Sequence, residues 1–155
     1  MRQSRQPAFY AVVGVPDTLD GRFELLSLHV FLVLQRLKKD GPDGTATAQA
    51  LVDRMFANMD ESLREMGVGD LGVGRRVKQM ASAFYGRVAA YESGLGGTGE
   101  ALGAALGRNL FGTTQPTAEQ LRQMGGYLRR AVGVLEAQAS PSLLAGELTF
   151  EPPLT

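Results

Sequence analysis

The chain contains no cysteine. That excludes a disulfide framework, a thiolate nucleophile and any zinc–sulfur site, and it fits a reducing compartment. Histidine occurs once, at His29. A lone imidazole cannot assemble a catalytic triad, and with no cysteine or second histidine beside it, it cannot build a transition-metal site. Set among apolar residues, it is expected to be a buried or half-buried histidine with its hydrogen bonds satisfied. A long apolar run is missing too. The most hydrophobic stretch, residues 23–34, is interrupted by Glu24, Ser27 and His29 and is shorter than the roughly 20 residues a membrane span needs. The first residues, with Arg2, Arg5 and Pro7, lack the apolar segment of a signal peptide. A soluble, cytoplasmic protein is expected.

An excess of one charge sign is also absent. Sixteen basic and sixteen acidic side chains cancel, which argues against a protein whose main work is coating nucleic acid. Strand signals are scarce. Residues 9–15 (FYAVVGV) have strand propensity but no partner run elsewhere, so they read as the end of an N-terminal helix or as an irregular packed segment.

What is present is helical periodicity in a chain of 155 residues with 44% hydrophobic and 21% charged side chains. That is the size of one domain, 1–155, able to bury about 70% of the surface of its unfolded form. Residues 19–40 are apolar on most sides, as expected of a central helix packed from several directions, and Lys38, Lys39, Gly41 and Pro42 mark its end. Ala48, Leu51, Val52, Met55, Phe56, Met59, Leu63 and Met66 form one stripe on a third helix, with Gly67 as its stop. A fourth helix begins after Asp70 and carries Val73, Val77, Met80, Ala81, Phe84, Val88 and Tyr91 on one face. A shorter helix covers 100–111. The run Thr117-Ala-Glu-Gln120 is a capping box that opens another, ending near Ser140-Pro141. The remaining residues, 141–155, read as a short turn and an extended tail. The expected fold is a single all-α domain of about six helices.

Chemistry is hard to find in this pattern. Gly94-Leu-Gly-Gly-Thr-Gly99 matches G-x-G-x-x-G, but a dinucleotide site needs a strand ahead of the glycines to aim backbone N–H groups at the pyrophosphate. Here the preceding residues are helical in pattern, so the stretch reads as a flexible interhelical loop and no cofactor is expected. Asp53, Asp60, Glu61 and Glu65 fall on the outer side of the third helix, and Asp60 with Arg64 reads as a solvated i, i+4 ion pair. No catalytic residue and no metal site is expected.

Two surfaces carry the remaining information. Arg75, Arg76, Lys78 and Arg87 gather positive charge around one loop and the helix after it. Either they are an ordinary solvated face or they meet phosphates of lipid headgroups or ribosomal RNA; sequence-specific nucleic-acid recognition is not indicated. Val68, Leu71 and Val73 stand among glycines, and Tyr85 lies off the main stripe. Such residues either pack back onto the core or border an apolar groove for a partner, with methionines as adaptable lining.

The wording "FYAVVGVPDTLDGRFELLSLHVFLVLQRLK", "AQALVDRMFANMDESLREMGVGDLGVGRRVKQMASAFYGRVAAY" and "LGRNLFG" resembles the ubiquinol–cytochrome c chaperone family in its bacterial form, over roughly residues 8–138. The resemblance implies an all-helical, non-enzymatic assembly factor for the cytochrome bc1 complex whose client is newly made cytochrome b, and relatives that act with a small partner protein at the ribosome. Glycines at 67, 69, 72 and 74 would let a client-binding loop reshape between two fixed helices. The contact surface expected is 68–91, through Val68, Leu71, Val73, Met80, Phe84, Tyr85 and Tyr91, with help from the helix over 19–40. The basic face of Arg75, Arg76, Lys78 and Arg87 would lie near anionic lipid, peripheral to the inner membrane, or near the ribosome.

Overall fold

The computed structural model describes residues 2–153. Among them helices dominate: α1 (Pro7–Ala11), α2 (Leu19–Leu37), α3 (Gly41–Glu65), α4 (Asp70–Gly96), α5 (Gly99–Asn109), α6 (Ala118–Glu136) and α7 (Ser140–Leu144), with single 3-10 turns at Gln3–Arg5 and Lys38–Asp40. The expected all-α class is the observed one. Residues 9–15 divide between the two readings given above, the first three ending α1 and the rest irregular.

The organising element is α2. Thr18 caps it by accepting the Gly21 N–H at 3.1 Å. At 100° per residue, Leu25, Leu28, Phe31 and Leu32 face one way, while Phe23, Leu26 and Val30 face the other. The first set joins the larger core with Phe9, Tyr91, Leu102, Leu106, Met124, Tyr127 and Leu135. The second joins a smaller core with Val52, Met55 and Phe84. A helix apolar nearly all round is therefore sandwiched, as the composition of residues 23–37 requires. Close approach to the preceding chain fixes Gly21: a Cβ there would meet the Pro16 carbonyl oxygen at 2.0 Å.

Several boundaries differ from the sequence reading. The stop after Lys39 is real, but no loop follows. Gly41, at φ +61°, turns the chain straight into α3 with Pro42 in its first turn, so that helix starts seven residues ahead of Ala48. Its far end is as read. Gly67 adopts φ +82°, its N–H reaching the Arg64 carbonyl (2.9 Å) and the Val68 N–H reaching that of Leu63 (3.1 Å), the paired bonds of a Schellman motif. The glycine-studded loop then shrinks to 66–69, because Leu71, Gly72, Val73 and Gly74 already belong to α4.

The G-x-G-x-x-G stretch is a second correction. Gly94 and Gly96 end α4, Gly99 opens α5, and only Gly97 and Thr98 lie between. What demands Gly94 is a helix crossing, since its Cβ would meet the Leu102 Cα at 3.0 Å. The capping box on α6 forms as read, with both reciprocal bonds between Thr117 and Gln120. The C-terminal segment holds α7 and then an extended stretch pinned to the body: Gln138 bonds Thr149 in both directions at 2.8 Å, and the Phe150 ring packs edge-on against His29 at 5.2 Å.

Candidate functional site

Helices α3 and α4, joined by four residues, form a long antiparallel arm of about 40 Å, taken from the 1.5 Å rise per residue. Its proximal half is held by the smaller core and, through Tyr91 of α4, by the larger one. Its distal half is thin: beyond residue 59 of α3 and before residue 80 of α4, only Leu63 and Val73 are buried. Arg64 braces the tip, donating to Asp60 on its own helix at 2.7 Å and to Asp70 at the start of α4. The Asp60–Arg64 pair was legible in the sequence; the third partner, Asp70, came from the turn.

Because α3 runs past the end of the core, a groove of about 870 Å³ opens between it and the N-terminal segment. Tyr10 and Ala11 of α1 form one wall, Leu19, Phe23 and Leu26 of α2 the floor, and Asn58, Met59 and Ser62 of α3 the other wall. Leu19, which lines it, is 46% exposed, so apolar surface continues out of the groove. Two turns of a helix about 10 Å across displace roughly this volume. The rim is polar: Asp17 and Arg22 pair at 2.6 Å, and Arg5 lies at one end.

On the other side of the first turns of α2, a smaller cleft of about 300 Å³ lies against α4 and the end of α5. Phe23 reaches both hollows. Glu24 and Arg87 sit in the wall of the smaller one, joined by a charge-assisted hydrogen bond that ties α2 to α4. Burial pushes the Glu24 carboxyl above the usual carboxylate range, and the Arg87 guanidinium only partly offsets it. His29 is as closed as expected. Its Nδ1–H donates to the Leu25 carbonyl at 2.7 Å, which leaves Nε2 to accept from the Tyr127 hydroxyl at 2.8 Å. Tyr127 in turn accepts from Gln3 at 3.1 Å.

The residues assigned from sequence to one contact surface are dispersed. Val73, Phe84 and Tyr91 are fully buried and belong to the packing of the arm and cores, because the α4 stripe that carries them faces inward along its whole length. They offer no surface. Val68 and Met80 are half-buried. Leu71, at 94% exposure, and Tyr85, at 56%, point outward. Of the basic residues, Arg75, Arg76 and Lys78 are exposed, whereas Arg87 is spent on Glu24 and drops out of a free basic face. Sequence reasoning missed the groove. Met59 stood in the stripe of α3 and also among the methionines able to line an apolar groove, but nothing in the sequence paired it with Leu19, which stands one residue after a capping threonine.

No helix among the described residues is long and apolar enough to cross a membrane. In fold, the chain is similar to the Cbp3 homolog from Brucella abortus, solved by crystallography, with a TM-score of 0.86 and 40% identity, covering 98% of this chain and 84% of that one. In sequence it is similar to ubiquinol-cytochrome-c reductase complex assembly factor 1 of Xenopus laevis, 28% identical over 93% of this chain and 72% of the frog protein. It is similar likewise to the mouse and human proteins, at 28% and 27% identity, of whose length it spans about half (49% and 48%). Residues 11–150 match the family described as ubiquinol-cytochrome C chaperone, a span close to the 8–138 marked out by the sequence wording. A helical body, an arm held on one face of a shared central helix, and a match over nearly the whole length place the chain in the ubiquinol-cytochrome C chaperone family.

Proposed function

We propose that this chain serves assembly of ubiquinol–cytochrome c reductase by holding newly made cytochrome b, with an apolar client segment lying in the groove between the arm and the N-terminal helix. The observation that carries the reading is the groove itself: apolar floor, a flexible methionine in one wall, and an exposed Leu19 at its edge. A client destined for a bilayer presents apolar helix, and an adaptable apolar trough fits such a client without reaction chemistry. The family membership supplies the complex whose assembly is served; the choice of subunit, and the move of the contact surface from 68–91 to this groove, are part of the proposal.

Photocrosslinking residues placed at Leu19 and at Met59 test it in cells that make cytochrome b. Adducts to cytochrome b are expected at both positions, and none at Glu147 on the surface behind α7. Met59→Asp is expected to abolish the Leu19 adduct while the helical circular dichroism signal is unchanged. Crosslinks confined to the outer face of α4 would refute the groove as the holding site.

A further inference from the structure

We infer that the outer face of α4 is a docking surface for an anionic lipid bilayer, separate from the client groove. At 100° per residue, Leu71, Arg75, Lys78, Ser82 and Tyr85 fall within an arc of about 80°, along about 21 Å of helix. All five are exposed. From residue 71 to residue 91 the sequence contains no aspartate or glutamate, although the whole chain is neutral. The acids that flank this stretch are already engaged, Asp70 by Arg64 and Glu92 by Lys38. Arg87 is held by Glu24. Among the described residues, Arg75 and Lys78 on the strip have no carboxylate partner.

Charge alone would suit any polyanion. The apolar ends of the strip decide between them. Leu71 is 94% exposed at one end and Tyr85 is 56% exposed at the other. A phosphodiester backbone has no apolar phase to receive a leucine, whereas a bilayer receives the leucine below its headgroups, the tyrosine at headgroup level, and the cations at the phosphates between them. Gly74 and Gly86 flank the strip with open space where a side chain would stand, so the helix can lie close to a flat surface. Lipid attraction of this kind is screened by salt, while the leucine contribution is not.

The strip shares no residue with the groove, so the two proposals fail separately. Flotation of the full chain with vesicles is the test, using phosphatidylcholine alone and equimolar phosphatidylcholine with phosphatidylglycerol. Binding is expected to the second and not to the first, and Arg75→Glu with Lys78→Glu is expected to weaken it by tenfold or more, on the order of one charged side chain's contribution per residue changed. Leu71→Ser is expected to remove the fraction that persists in high salt. Met59→Asp should float like the parent chain. Failure to float with anionic vesicles in low salt would overturn the inference. So would tight binding of single-stranded RNA, read by fluorescence anisotropy, that depends on Arg75 and Lys78 and is indifferent to Leu71→Ser.

Discussion

The guanidinium of Arg36, near the end of α2, donates its Nε–H to the carbonyl of Leu135 at the last turn of α6, 3.2 Å away. The same group reaches the Gln138 carbonyl and the Ser140 hydroxyl at 3.1 Å each and the Asp40 carboxylate at 2.7 Å. One planar cation thus bonds carbonyls at and just past the C-terminus of α6 and joins α2, α6 and α7. Both side chains of the Arg36–Asp40 pair are more than nine-tenths buried. Arg36→Lys keeps the charge but loses the fork, so it is expected to lower stability by about 3 kcal/mol in urea unfolding. A loss below about 0.5 kcal/mol would show the fork to be dispensable.

The Glu24–Arg87 bond fastens the arm to α2 in a place where the carboxylate is poorly hydrated. Removing only the cation leaves an unpaired buried acid. Arg87→Met is expected to cost about 3 kcal/mol, and Glu24→Gln added to it should restore much of that loss, because the orphaned charge goes with the carboxylate. Additive losses in the double variant would contradict this account.

His29 makes stability depend on pH with a definite sign. Burial lowers its pKa from the ordinary 6.5 to about 4, against the opposing effect of the bond to Leu25. The unfolded chain therefore binds a proton in a range where the folded chain does not. The stabilisation is complete above about pH 6.5 and is lost as pH falls towards 4. Comparing His29→Gln with the parent isolates this group from Glu24, whose raised pKa acts in the opposite direction. The stability gap between the two proteins should narrow as pH drops from 7 to about 4.5, by on the order of 3 kcal/mol at most; a constant gap would mean that the imidazole is not held neutral.

Tyr91 separates core from contact. Its ring is fully buried, and among the described residues its hydroxyl has no hydrogen-bond partner. Tyr91→Phe removes an unsatisfied polar atom, and is expected to leave stability unchanged or raised by up to about 1 kcal/mol. Cytochrome b crosslinking at Leu19 should be undiminished. A loss of crosslinking with stability intact would return Tyr91 to the client surface.

Helix identity was legible because the apolar spacing over 48–66 and 73–91 is long and regular, and because Thr117 with Gln120 and Gly67 act through local backbone chemistry. The start of α4 at Asp70 was legible too, from the inward Val73 and Val77, although Gly72 and Gly74, expected to keep a loop pliable, lie inside that helix. Gly94 likewise punctuates a sequence but serves a close crossing with α5. The groove escaped detection for a different reason. Leu19 and Met59 are forty residues apart, and the hollow between them comes from α3 outrunning the core, a matter of helix length and packing angle that no local pattern records.

The sandwiching of α2 has a further consequence. Its two faces are sealed by apolar sets of unequal size, so the fold contains a strong seam and a weak one along the same helix. Swinging α3 away would open the weak seam while Tyr91 of α4 stays in the strong one, which gives the molecule an opening fluctuation much cheaper than full denaturation. Backbone amides of α3 should trade hydrogen for deuterium well before those of α6, and a trough bounded by such a hinged wall can widen to the girth of whatever segment enters it.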